Sequence, residues 1–279
     1  MHIGKSITEL AQLSTFIHLC LSALDGATQA TESLERARKV AAVLKVRDPF
    51  LSEQHYYKAK EHAVEAETFA RAEAESGFPY LFSLAAIKIW TILECLVDEI
   101  VLECLKDLPR CSNIDLIRSL KGPLVEFIMA APDDQAEYLA NELGLAVRAN
   151  LSPGVGRFEN VLNPVGMGGS VADGVRRVLL EIGEVRNISV HRNGIADRRF
   201  VNSCPWFRIK FGEPVNLSHE DFHLYHIAAT SYVVELDLRF DRRAGGPIDN
   251  DEVELKDSLI KDLELGLVQR RGQGLTPTS

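Results

Sequence analysis

Strand signals are nearly missing from this chain: only 206–215 has the look of a short extended pair, with Gly212-Glu213-Pro214 as its turn. That scarcity argues against any sheet-based fold. Cysteine is sparse as well. Its five copies (Cys20, Cys95, Cys104, Cys111 and Cys204) are odd in number and contain no C-x-x-C, which excludes a fully paired disulfide framework and a dithiol motif. Cys95 and Cys104 fall in an apolar helical run, where a free thiol behaves as a small hydrophobe, so a reducing, cytoplasmic setting is the simplest inference. Uninterrupted apolar runs are lacking too. Glu9, Gln12 and His18 break the stretch 7–24, and Glu94, Asp98, Glu99 and Glu103 break 87–105. Such charges are costly in a bilayer, and no basic leader with a small-residue cleavage site precedes them. No membrane or secretion signal is therefore read.

Positive charge is in deficit. The formal net charge is −9, which at first argues against a nucleic-acid partner. Its distribution matters more than its sum: residues 176–210 hold eight basic and three acidic side chains, so that segment carries +5 against −14 elsewhere. The Gly/Pro-rich stretch 150–170 lacks a lysine in phosphate-loop register and has no preceding strand. It reads instead as a long connector, able to serve as a mobile flap.

Helix is abundant. Apolar spacing and good helix formers mark 6–24, 29–46, 53–76, 78–107, 113–131 and 133–147, punctuated by Asp48-Pro49, Gly77, Pro109, Pro132 and Gly144. With 46% hydrophobic residues the chain can bury a substantial core. The first two segments are expected to form a hairpin outside that core, and the tail beyond Gln269 to be disordered.

The chemistry gathers at the end of one apolar helical run, in EVRNISVHRNGIADRRF. At about 100° per residue, Asn187 and His191 are i,i+4 neighbours and Arg186 flanks them on the same polar arc. Val178, Ile182 and Val185 mark a different stripe, which should face the core. Asn193-Gly194 should end the helix in a left-handed cap, placing His191 in its last turn. An arginine supplies a fixed cation and a histidine supplies the side chain that titrates near neutrality, so the pair suits phosphate chemistry.

This segment resembles the signature of HEPN domains, an all-helical family marked by R-x(4–6)-H with a polar residue after the arginine. The pattern here is Arg186, Asn187 and His191, followed by Ile195, Asp197 and Phe200. Residues 79–105 resemble the first core helix of that family, with Trp90 and Glu94 at its aromatic-x-x-x-Glu centre, and 212–239 resemble its closing helix. The chain departs from the members whose control depends on a tyrosine two residues after the histidine, because Asn193 stands there.

The resemblance implies an all-α HEPN-like bundle over 52–242. It would carry an N-terminal helical extension over 1–51, a C-terminal helix and flexible tail over 243–279, and the short extended pair. It further implies a metal-independent endoribonuclease of a toxin, abortive-infection or stress-response system, in which Arg186, Asn187 and His191 are catalytic and no cofactor is needed. The alternative is a non-catalytic RNA- or nucleotide-binding or protein-interaction module. Arg192, Arg198 and Arg199 are the expected RNA contacts, and Glu94 the expected partner that orients Arg186. Expected partners are RNA, a second copy in a homodimer, and an antitoxin or sensor protein. His219, His223 and His226 share one helix face, but a single helix rarely supplies three ligands to one tetrahedral ion. They read as a surface or interface stripe rather than a metal site.

Overall fold

A computed structural model describes residues 2–45, 52–111, 113–122, 124–147 and 153–273. The fold is all-α, about 81% helical, with no strand or sheet among the described residues. In chain order the helices are α1 (His2–Ala27), α2 (Ala30–Leu44), α3 (Glu53–Glu75), α4 (Pro79–Leu105), α5 (Ile114–Ser119), α6 (Leu124–Met129) and α7 (Pro132–Val147), then α8 (Gly156–Leu162), α9 (Asp173–Arg192), α10 (Arg198–Ser203), α11 (His219–Ala244) and α12 (Asn250–Gln273).

The centre is a packing of α4, α9 and α11. Helix α4 is apolar almost all round and buries residues from Leu81 through Leu105, the signature of a helix enclosed by others rather than lying on a surface. By length and composition alone, 3–27 and 79–105 are each long and apolar enough to cross a bilayer. Within the fold, the second of these is the central helix and the first packs onto it. Helix α11 opens at Ser218, whose hydroxyl accepts from the Asp221 amide at 3.2 Å while Asp221 accepts from the Ser218 amide at 2.8 Å. This reciprocal cap satisfies two donors that a helix start leaves open.

Four expectations change. Helix α1 does not stand apart with α2: Ile3, Leu10 and Ile17, spaced at seven, are each about 1% exposed against α4 and α11, while α2 pairs with α3. Segment 113–131 is split into α5 and α6, because Pro123 cannot supply a backbone donor and disfavours a helical residue before it. The extended pair at 206–215 is instead a 3-10 turn at 205–207 followed by a short segment that lies against 194–196 through one isolated bridge, Ile195 to Pro214. Finally, α12 runs to Gln273, past the point where disorder is expected. Leu263 and Leu267 are buried, and Arg270 is ion-paired to Glu181 and Asp221 at 2.7 and 2.9 Å. Residues 274–279 of that tail lie outside the described residues.

Candidate functional site

Helix α9 positions the motif. Val178, Ile182, Val185 and Ile188 are buried, and Gly183 lets the helix approach α4 closely, since a Cβ there would lie 3.1 Å from the Trp90 ring. A glycine inside a helix costs roughly 1 kcal/mol relative to alanine; here the close helix contact offsets it. Trp90 also packs on Phe158 of α8, with ring centroids 4.8 Å apart. The helix ends as its sequence suggests. Asn193 and Gly194 take φ of 51° and 76°, and the Gly194 amide donates to the Ile188 carbonyl at 3.1 Å. The chain leaving this cap is pinned by the Ala196 amide donating to the Glu213 carbonyl and the Val215 amide to the Gly194 carbonyl, both at 2.9 Å.

Arg186 and Asn187 are half-buried and His191 is exposed. Arg186 Nη1 donates a long hydrogen bond to Asn187 Oδ1 at 3.4 Å. Two adjacent clefts open beside them. Arg186 lines one of about 550 Å³, with Glu94 and Asp98 of α4, Asn141 of α7 and Arg157 of α8. Asn187 lines the other, about 510 Å³, with Trp90, Glu184, Arg199 and again Arg157. Arg157 therefore stands between the two halves of the site. It lies in the connector that sequence reading treats as a loop, and its proximity to α9 comes only from the docking of α8 onto α4.

The other expected residues are placed unequally. Glu94 shares the Arg186 cleft but pairs with Arg157 at 2.9 Å rather than with Arg186. Arg199 is spoken for by Glu184, at 3.0 Å from Nε and 2.7 Å from Nη2. The Glu184 side chain is only 3% exposed, so this arginine neutralises a buried carboxylate. Arg198 lies over the exposed Phe211 ring at 5.7 Å, and Arg192 is exposed in the last turn of α9. His191 lies a turn beyond Asn187, lines neither cleft, and has no hydrogen bond or ion pair among the described residues.

Comparison with protein families, with curated proteins and with solved structures finds no match.

From Glu159 to Ser170 the connector is tied down by a buried polar network. The Arg239 guanidinium, 5% exposed, binds both Glu159 oxygens at 2.9 and 3.0 Å, Glu235 at 2.8 Å, and the Met167 and Ser170 carbonyls at 3.1 Å. Glu159 also accepts from the Gly169 amide at 2.9 Å and from the buried Tyr232 hydroxyl at 2.8 Å. The glycines have a packing reason: a Cβ at Gly169 would lie 2.8 Å from the Arg239 guanidinium, and one at Gly168 1.6 Å from the Asn163 side chain. Residues 150–152 of the expected flap lie outside the described residues. From the described part of this stretch, Pro153, Gly154 and Arg157 line the Asn187 cleft.

The three histidines of α11 diverge. His226 contacts the Leu10 carbonyl at 3.2 Å, whereas His219 packs near His18 and Phe82. Among the described residues no group of three His, Cys, Asp or Glu side chains is arranged to hold a metal. The cysteines are all free, and burial pushes the Cys104 thiol up to about 11, leaving it a packing residue rather than a nucleophile.

Proposed function

We propose that this protein is a HEPN-like, metal-independent endoribonuclease centred on Arg186, Asn187 and His191. The observation that carries the reading is the outward polar arc of α9. Arg186 and Asn187 border two clefts joined by the Arg157 cation, and an exposed histidine follows one turn later. The clefts offer cations where phosphate charge would develop, and the histidine offers a proton acceptor beside them.

In the proposed reaction the ribose 2′-oxygen loses its proton to a His191 imidazole and attacks the adjacent phosphorus. The bond from phosphorus to the 5′-oxygen breaks, and that oxygen takes a proton as it leaves. The products are a 2′,3′-cyclic phosphate and a 5′-hydroxyl. Arg186 and Arg157 neutralise the non-bridging oxygens, and Asn187 orients the phosphate through its amide. Base and acid are best divided between two imidazoles, which a homodimer with facing α9 ends supplies. An antitoxin or sensor protein covering the same surface would hold such a nuclease silent.

A second reading has one observation in its favour. His191 lines neither cleft, which suits a module that binds RNA without cutting it. The test is incubation of the full chain with mixed single-stranded RNA in EDTA, beside His191→Ala and Arg186→Ala, with end-group analysis. The nuclease predicts cyclic phosphate ends and a loss on the order of 10²- to 10⁴-fold in either variant. RNA retention with no cleavage by a confirmed dimer selects the binding module.

A further inference from the structure

A third cleft, of about 570 Å³, opens farther along α9, where Arg177 faces the 3-10 turn 205–207 and the end of α12. Its volume is in the range of small-ligand sites. Trp206 and Phe207 wall it with two aromatic planes. The Arg177 guanidinium lies over the indole at 4.3 Å, and the Arg270 guanidinium lies over the Phe207 ring at 4.6 Å. Arg208 follows in the lining, exposed and at a φ of 55°.

Behind the lining side chains two carboxylates are held in ion pairs. Glu181, fully buried, accepts from the Trp206 indole at 2.6 Å and from Arg270 at 2.7 Å, and Asp221 takes the other Arg270 nitrogen at 2.9 Å. Those bonds fix the indole and the Arg270 plane before any ligand arrives, and they mask the two carboxylates. Arg177, Arg208 and Arg270 are the charged side chains that line the mouth itself. Planar aromatic and guanidinium surfaces suit a flat base, and guanidinium groups suit its phosphate.

From these observations we propose that the Trp206–Phe207 cleft binds a nucleotide unit, its base against the aromatic wall and its phosphate against Arg177 and Arg208. The assignment rests on the RNA reading of the Arg186–His191 site. Arg177 and Arg186 are separated by about 14 Å along the same helix. Ser203 lines the Asn187 cleft and Pro205 this one, two residues apart in the chain, and in this proposal the strand runs from the cleavage site toward this third cleft. The aromatic planes distinguish this ligand from an acidic peptide, which would need charge alone.

The experiment uses the full chain carrying His191→Ala, so that binding is read without cleavage. Emission is followed while adenosine 5′-monophosphate, a short single-stranded adenosine RNA or polyglutamate is added. The chain has two tryptophans, and Trp90 is buried at 3% exposure, so quenching reports mainly on Trp206. Saturable quenching by the RNA is expected. Arg208→Asn, which suits the positive φ, should weaken it by at least about tenfold, and Trp206→Phe should remove the signal while dialysis shows retained binding. Saturation by the monophosphate with the same Arg208 dependence assigns a free nucleotide as the source; a response to RNA alone assigns the strand. No quenching by either, an affinity indifferent to Arg208→Asn, or equal competition by polyglutamate overturns the proposal. Cleavage without Arg208-dependent binding sinks this inference only, whereas Arg208-dependent binding without cleavage in the unsubstituted chain sinks the nuclease reading only.

Discussion

Two faces of α9 use the same kinds of side chain for opposite ends. On the inward face, Glu181 and Glu184 are 0% and 2% exposed, and each has an arginine brought to it, Arg270 from α12 and Arg199 from α10. On the outward face, Arg186, Asn187 and His191 are left with one long internal hydrogen bond. A buried carboxylate must find a cation or lose its charge, so the inward groups are committed to holding the fold. The outward groups pay no such penalty in water. Their polar capacity remains available to a ligand. What separates structure from candidate chemistry here is burial, not residue type.

The sharpest way to break this comparison is to remove an inward cation. Arg239→Ala strands Glu159 and frees the Met167 and Ser170 carbonyls, and should cost about 3–5 kcal/mol in urea unfolding. A loss below about 1 kcal/mol would show that this network is not structural. Arg270→Ala should follow at about 3 kcal/mol, because burial already pushes the Glu181 carboxyl above its ordinary range and Arg270 is its main opposing cation. Protease nicking of α12 at native temperature is the companion measurement, and an uncut helix would contradict the anchoring of α12 by Arg270.

Acid gives a smaller effect at the α1–α11 contact. Burial, with His223 nearby, lowers the His226 pKa below its ordinary value despite the bond to the Leu10 carbonyl. A depressed histidine adds stability above its unfolded value of about 6.5, and that stability is lost as pH falls toward the folded value. The melting temperature should drop between neutral pH and the depressed value, and His226→Gln should flatten that part of the profile. An identical slope in the variant would assign the acid sensitivity elsewhere. Smallest of all, Arg186→Ala and His191→Ala should shift stability by no more than about 0.5 kcal/mol. A larger shift would mean that the outward face is structural after all.

Much of the helical framework is legible in sequence because its signals are local. The Asn193-Gly194 stop, the Ser218–Asp221 cap and the apolar rows of α4 and α9 each act within a turn or two, so residue order and helical period suffice. The errors have a common origin. Ile3, Leu10 and Ile17 form a weak row whose burial depends on α4 and α11 being there to receive it. Arg270 looks like part of a polar tail until the buried Glu181, 89 residues away, is seen to draw it in. Arg157 is an unremarkable arginine in the sequence and Arg199 reads there as an RNA contact, yet the first joins two clefts and the second closes on a buried carboxylate.

By itself the sequence determined that the chain is helical, where most helices begin and end, and that Arg186, Asn187 and His191 share one polar arc. Only the tertiary structure decided which charges are spent: Glu94 on Arg157, Glu184 on Arg199, Glu181 on Arg270, and Glu159 on Arg239. Helix formation is settled by hydrogen bonds and side chains within four residues. Charge pairing is settled by which surfaces lose their water, and that depends on the packing of helices distant in the chain.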